Sequence, residues 1–407
     1  MNSNRWGLFD GGRINRALPK TARADAKNFA KQALEKGALV LPFSSGNRIY
    51  MQTKLAEPEA EAEAAGLKLK SIQWLTKDTL EETFQLRYEK ETISFSSLSE
   101  LQEERAELNS FGLIYLGREV EEDGKHFFAV DMTNYELADG DHRNGSEDVL
   151  YTFEELRSFV KSNHDLLGTK QAASVSRAGY ALALGNWSRG LRFCPSCSSP
   201  IHPVQIGTRK ECESCGKKQY PRLDPVCIML VTSEDEKHVL LASPRYASGR
   251  MLTCLAGFIE QCETIEEAVV REVYEETGVV VDQVEILGSQ PWPLGRSGAC
   301  ELMIGCIAKA KSNPATSELC VDEAELNSAS WVPLGLVEEK LAKSKAWQKH
   351  GKSSKPSTRL KKREESSSPS TPKETWIVPP YAIAHHLIEF WIRRKSKTKS
   401  ALKVSRL

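Results

Sequence analysis

Apolar positions along the chain follow two rhythms. The runs "GALVLPFSSGNRIYM" and "FGLIYLGREVEEDGKHFFAVDM" read as short strands broken by Gly, Ser and Asn. Further on, "PVCIMLVTS", "KHVLLASPR", "ELMIGCIAKA" and "SASWVPL" are strand-like as well. Helical spacing appears in "QAASVSRAGYALALGNWSRG" and in "AVVREVYEETG". In "DVLYTFEELRSFVKS", Thr152 is followed three residues later by Glu155, a capping-box pattern that predicts a helix there. "WIVPPYAIAHHLIEFWI" predicts a strand end and then a helix, with Pro380 suited to its start. The stretch 343–373 is polar, basic and rich in Ser and Pro; it cannot bury a core and predicts a disordered loop.

These runs organise the chain. Residues 1–190 form an α+β unit with no motif of obvious chemistry, residues 191–220 are cysteine-rich, and 221–395 alternate strands with one strong helix before a basic tail, 396–407. A length of 407 residues suits two or three domains. Lys+Arg 55 balances Asp+Glu 55, so no global field selects nucleic acid or membrane as partner. No run of 18 apolar residues predicts a membrane span. The N-terminus, "MNSNRWGLFDGGRINR", lacks the apolar core of a secretory signal, so none is expected.

All ten cysteines lie between Cys194 and Cys320, which points to a reducing compartment rather than a disulfide scaffold. Cys194, Cys197, Cys212 and Cys215 have the spacing of two knuckles, C-x2-C twice. Four thiolates satisfy tetrahedral Zn2+ with no open position, so the site is structural. Pro203 and Gly207 between the pairs suit a hairpin. Arg209, Lys210, Lys217 and Lys218 add local positive charge, by itself a weak sign of RNA.

"GFIEQCETIEEAVVREVYEETGVV" concentrates glutamates around one arginine, Arg271. Thr264 with Glu267 makes a capping box, and Gly278 supplies the C-terminal cap. At 3.6 residues per turn, Val269, Val270 and Val273 share a stripe to bury, and Glu272, Glu275 and Glu276 cluster beside it. Such carboxylates repel. Read alone, they suit either a Mg2+ or Mn2+ site or a solvated acidic face.

The full spacing runs Gly257, Glu263, Arg271-Glu272, Glu275-Glu276, Gly278. It resembles the Nudix box at every defined position. With the cysteine knuckles, "SQPWPLGRS", "YPRLDP", "PPYAIAHHLI" and, more loosely, "GGRINRALPKTARAD", nearly the whole chain resembles the NADH pyrophosphatases, the subfamily that includes NAD-capped RNA hydrolases. The resemblance implies an α/β fold: a Nudix α/β/α sandwich with a mixed sheet, preceded by a zinc ribbon and an N-terminal Nudix-like domain. It implies divalent metal held by Glu272, Glu275, Glu276, Glu325 and the main-chain carbonyl of Ala256, with Glu276 or Glu275 activating water. Glu263 would contact Arg271 and orient the helix. Tyr220, Gln290, Pro291, Trp292, Pro293, Ser297 and Ala384 would lie at the substrate. Homodimers are implied too.

One departure stands out: the family has Phe-Pro where this chain has Leu294-Gly295, and "GACE" then intervenes. The expected reaction is hydrolysis of NADH, NAD+ and related dinucleotides to mononucleotides. Removal of NAD caps from RNA 5′ ends by the same site is the near rival. A non-catalytic zinc-ribbon RNA-binding protein is the rival of another class, against which the intact glutamates argue. Ser405-Arg406-Leu407 is a variant of the S-K-L address, which predicts an import receptor as partner and the peroxisome as location, with cytoplasm second.

Overall fold

The computed structural model describes residues 14–17, 19–20, 25–54, 69–76, 79–80, 87–88, 91–92, 113–119, 124–133, 149–162, 170–247, 249–295, 299–314, 318–350 and 375–404. It divides into two compact units. One runs to Leu223 and also takes Pro291–Glu301; the other comprises Asp224–Gln290 and the chain from Leu302 onward.

The first unit begins with β1 (Ile14–Asn15), α1 (Ala26–Glu35), β2 (Leu39–Ser44), β3 (Arg48–Lys54) and β4 (Leu69–Ile72). A two-residue pair, β5 (Arg87–Tyr88) and β6 (Glu91–Thr92), precedes β7 (Leu113–Glu119), β8 (His126–Asp131) and β9 (Val149–Glu155). The helices α2 (Leu156–Ser162) and α3 (Lys170–Gly190) follow. The sheet order is β1-β7-β8-β2-β3-β4, with β9 also on β3. Only β2 and β8 pair in parallel among its described ladders, so the sheet is mixed.

The Thr152 capping box does not form. Thr152 lies in β9 opposite Met51, and Phe153 lies opposite Tyr50. Alternating aromatic and β-branched residues suit a ladder, so the helix waits until Leu156, whose N–H donates to the Asn47 carbonyl at 3.0 Å.

The cysteine-rich stretch forms β10 (Ile201–Val204), β11 (Arg209–Cys212) and β12 (Lys218–Gln219), one antiparallel ribbon. It belongs to the first unit. The Tyr115 N–H donates to the Ile206 carbonyl at 2.9 Å, and Ile206 joins the core of β2, β3 and β8. Lys210 is wholly buried, and its Nζ donates to the Ser188 and Leu191 carbonyls at 2.6 and 2.7 Å. A cation there complements the C-terminal end of α3. Burial, reinforced by Arg192, pushes the Lys210 ammonium down to about 8. Lys210 is thus withdrawn from the basic surface that the sequence suggested.

The second unit is built on β13 (Leu223–Thr232), whose first residue belongs to the first unit, β14 (His238–Pro244), β15 (Met251–Leu252), β16 (Leu255–Phe258), α4 (Ile265–Thr277) and β17 (Val281–Trp292), whose last two residues belong to the first unit. It continues with β18 (Cys300–Ala310), β19 (Leu326–Pro333), α5 (Leu334–His350), β20 (Trp376–Ile377) and α6 (Ile383–Val404). The sheet order is β17-β18-β13-β14-β19, with β16 on β13. Side chains alternate across a strand, and β13 shows the result. Cys227, Met229 and Val231 pack with Ala268, Val269 and Val273 of α4. Ile228 and Leu230 pack with Val337 and Leu341 of α5 and with Leu387, Ile388 and Trp391 of α6. The unit is an α/β/α sandwich with a core on each face of its sheet.

Three sequence expectations need correction. Val270 is 38% exposed, so the buried stripe of α4 is Val269 and Val273 with Ala268. Residues 343–350 are helical, because Leu341 and Ser344 tie α5 to the core and to Ile377; 351–374 lie outside the described residues. Pro380 sits in a turn closed by the Ala382 N–H on the Pro379 carbonyl, and α6 starts at Ile383. The basic tail is helical as far as Val404, while the last three residues lie outside the described residues. No helix among the described residues is long and apolar enough to cross a membrane.

Candidate active site and zinc centre

Helix α4 is cut to length by its caps. The Thr264 side chain accepts from the Glu267 N–H, and Glu267 accepts from the Thr264 N–H. Gly278 ends the helix at φ 70°, a left-handed position that glycine adopts without strain.

Arg271 organises the carboxylates. Its Nε and Nη2 donate to the two oxygens of Glu263 at 2.7 and 2.9 Å, a bidentate pair. Nη2 also reaches the Phe258 carbonyl, and Nη1 donates to Glu272 at 2.8 Å and Glu275 at 3.0 Å. The Glu263–Arg271 contact implied by the resemblance is therefore present, and it pins the loop before α4 to the helix. Arg271 holds the Glu263 carboxyl below its ordinary range.

Gly257 makes this geometry possible. A Cβ there would stand 1.9 Å from Cδ of Glu272. Gly257→Ala is expected to push the Glu272 carboxylate aside and to weaken the response of the protein to a divalent cation. The strain of overpacking costs about 1–3 kcal/mol. Melting temperature with and without Mn2+ checks this; an unchanged response to metal would show that Glu272 had not moved.

Glu276 lies on the inner side of α4, only 5% exposed. Its Oε2 is buried with no hydrogen-bond partner. Burial first, and then the charges of Glu272, Glu325 and Asp322, push its carboxyl up to about 8. Burial also raises Glu272, against the opposing pull of Arg271. An orphaned buried carboxylate oxygen with other carboxylates nearby is the donor type that Mg2+ or Mn2+ takes. Of the expected set, Glu276 is buried and Glu272 half-buried, while Glu275 and Glu325 are exposed, and no three of these side chains gather their oxygens within 4.8 Å of one another.

Asp322 was not singled out from the sequence. Its N–H donates to the Glu276 carbonyl at 2.9 Å, and its Oδ1 accepts from the Ala324 N–H at 2.8 Å. This Asx turn just before β19 is tied to the end of α4 and brings Glu325 near enough to Glu276 for its charge to be felt there. The signal available was "VDEAEL", an aspartate two residues before a small one, which is common in turns.

The remaining expected residues divide between the units. Ala256 lies on β16 opposite Ile228, next to Gly257. Gln290 is fully buried; its Nε2 donates to the Tyr381 carbonyl and its Oε1 accepts from the Ile383 N–H, both at 2.8 Å. The structure thus commits its amide to the start of α6, the helix that carries buried Ala384. Tyr220, Pro291, Trp292 and Pro293 belong to the first unit. Tyr220 is 57% exposed, with the Arg209 guanidinium 4.9 Å from its ring centroid. Ser297 lies outside the described residues.

In the ribbon, the sulfurs of Cys194, Cys197, Cys212 and Cys215 all lie within 4.8 Å of one another, the one such cluster among the described residues. Cys194 and Cys215 are 3.6 Å apart, Cys197 and Cys212 3.5 Å. Sulfurs at about 2.3 Å from a tetrahedral Zn2+ stand about 3.8 Å apart, so the four fit that ion. The two knuckles match: Ser198 donates to the Cys194 carbonyl and Gly216 to the Cys212 carbonyl, both at 2.8 Å and both with positive φ. The main-chain N–H of Ser199 lowers the Cys197 thiol to about 6, which favours the ligating thiolate.

A sandwich bearing this loop–helix–loop is a Nudix domain. The family model described as NUDIX domain matches residues 221–353. The chain is 38% identical over 300 residues to Nudix hydrolase 19, chloroplastic, of Arabidopsis thaliana, covering 71% of this chain and 66% of that protein. It is 37% identical over 236 residues to the Homo sapiens NAD-capped RNA hydrolase NUDT12, covering 56% and 43%. With the Pseudomonas aeruginosa (strain LESB58) NAD-capped RNA hydrolase NudC it shares 43% over 157 residues, covering 38% and 52%. The matched stretches span 43% to 66% of the length of these relatives. It belongs to the Nudix family, on the NADH pyrophosphatase branch.

Proposed function

We propose that the protein hydrolyses the pyrophosphate bond of NADH, and of NAD+ and related dinucleotides, giving AMP and the nicotinamide mononucleotide. The carrying observation is the buried, unpartnered Oε2 of Glu276 beside Glu272, Glu325 and Asp322. Mg2+ or Mn2+ held by Glu272, Glu275, Glu276, Glu325 and the Ala256 carbonyl would neutralise pyrophosphate charge and favour attack by water at phosphorus. Arg271 holds Glu272 half-buried and ties down the exposed Glu275, and Glu263 keeps Arg271 in place. Glu276 Oε2 is the atom we assign to receive the proton of the attacking water. Zinc in the ribbon is structural in this reading, and the protein acts as a homodimer, which sedimentation equilibrium tests.

Removal of NAD caps from RNA is the second reading, favoured by the names of two relatives and by exposed Tyr220 stacked under Arg209 with Lys217 and Lys218 close in the chain. Bases stack on such rings. A panel of NADH, NAD+, ADP-ribose and NAD-capped RNA with Mg2+ or Mn2+, with products identified, tests both. NADH is expected to give AMP; no cleavage of any dinucleotide would sink the proposal.

We also place the protein in the peroxisome, with cytoplasm second, on the strength of Ser405-Arg406-Leu407. A fluorescent protein fused to the N-terminus is expected to give punctate signal that becomes diffuse when Leu407 is removed. Diffuse signal from the intact fusion would end the localisation claim alone.

A further inference from the structure

Glu325 is exposed, so packing does not aim its side chain; the backbone beneath it does. That backbone is held from two sides within the second unit. On one side it is tied to the end of α4. The Cys320 N–H donates to the Thr277 carbonyl and the Asp322 N–H to the Glu276 carbonyl, both at 2.9 Å. On the other side stands the turn after β14. The Arg245 N–H donates to the Glu325 carbonyl at 3.0 Å, and Arg245 Nη1 donates to the Glu323 carbonyl. Asn327 answers in the opposite direction: its Nδ2 donates to the Pro244 carbonyl at 2.8 Å and to the Ala247 carbonyl at 3.0 Å.

This clasp closes on a β-bulge. Ser243 pairs with Ser328 and Pro244 with Leu326, so Asn327 is the extra residue of β19. Ala329 and Trp331 pack on the α4 face of the sheet, and strict alternation would put Asn327 there next. Leu326 takes the place instead, 5% exposed. A bulge re-aims the chain beside it, and here that chain carries Glu325. The charge of Glu325 is felt at Glu272 and Glu276 alike. We infer that Arg245 and Asn327 are positioning residues: by fixing the backbone of 323–326, they set how closely the Glu325 carboxylate stands to Glu272 and Glu276, and so how tightly the three hold a divalent cation. The inference rests on the proposed reading, which puts that cation among these carboxylates.

The test compares wild type with Arg245→Ala and, from the other side of the clasp, Asn327→Ala. In metal-free protein the amides of Asp322, Glu325 and Leu326, each hydrogen-bonded in wild type, are expected to exchange faster in both variants, with the amides of 268–273 in α4 unchanged. Mn2+ titrated without substrate should bind about tenfold more weakly to each variant, the usual cost of removing a support behind a metal ligand. Arg245→Lys, which keeps a donor near the Glu323 carbonyl, should recover part of that loss. A role confined to fold stability would not depend on the Glu325 carboxylate, so a cycle with Glu325→Gln separates the two. In that background Arg245→Ala should change Mn2+ affinity less than about twofold. Unchanged exchange in both alanine variants overturns the clasp. Faster exchange with unmoved Mn2+ affinity, or a loss of the same size that persists with Glu325→Gln, overturns its role at the cation, as does wild type that binds no Mn2+. Wild type that binds Mn2+ but turns over no dinucleotide would refute the proposed function, while the affinities still decide the clasp.

Discussion

Glu276→Gln is expected to lower kcat on NADH at saturating Mn2+ on the order of 10²- to 10⁴-fold, the range for losing a positioned proton acceptor, while the fold survives. Gln has nearly the same volume, and the pocket already favours a neutral group there. The pH dependence of the metal-free protein separates this from simple damage. In wild type the Glu276 carboxyl ionises near 4.5 when unfolded and near about 8 when folded. The unfolded chain therefore gives up its proton first as pH rises. Stability falls through that window, by up to about 1.4 kcal/mol per pH unit from this group, and then levels off above pH 8. Glu276→Gln lacks this slope, so with chelator present it should melt near wild type at pH 5 and clearly above it at pH 8. Cations that bind the ionised carboxylate must displace its proton below pH 8, so Mn2+ affinity should weaken as pH falls. Calorimetric melting at several pH values, alongside kcat, checks all three. A variant with wild-type kcat would remove Glu276 from the chemistry.

Cys212→Ser is expected to lose zinc and to destabilise the first unit. Cys212 is buried, sits opposite Ile201 in the ribbon, and lies 3.5 Å from the Cys197 sulfur. A closed thiolate site contributes folding free energy directly, on the order of 10 kcal/mol in isolated zinc fingers. Damage should spread beyond the ribbon, because Lys210 on the same strand caps α3 and Ile206 enters the neighbouring core. The observable is a large drop in melting temperature, with metal analysis showing one zinc per chain in wild type and less in the variant. Wild-type protein purified without zinc would disprove the assignment.

Much of this molecule is local, and local features can be read from the chain. The cysteine knuckles need only C-x2-C and a tight turn. Helix α4 needs only Thr264, Glu267 and Gly278, and those three set its ends. Apolar runs yielded β13, β14, β18 and β19; β13 and β14 are buried on both faces, so they read as nearly continuous hydrophobic stretches. The spacing from Gly257 to Gly278 is itself a chemical pattern, since glutamates at i, i+3 and i+4 share a helix face.

What the sequence left open depended on long-range partners. Thr152 and Glu155 read as a helix start until β3 offered a ladder. Lys210 reads as a surface cation, yet two carbonyls, at the end of α3 and just beyond it, draw it inside. Val270 has the same apolarity as Val269, but α4 turns only one of them toward the sheet. Nothing local in "VDEAEL" says that Asp322 bonds the carbonyl of Glu276, or that Arg245 reaches the carbonyl of Glu323. The sequence determined the knuckles, the box and the apolar runs of the strands, because each rests on neighbours within a few residues. The tertiary structure alone decided which carboxylate is buried, which cation is withdrawn and which loop is held, because those depend on desolvation and on partners brought close only when the chain folds.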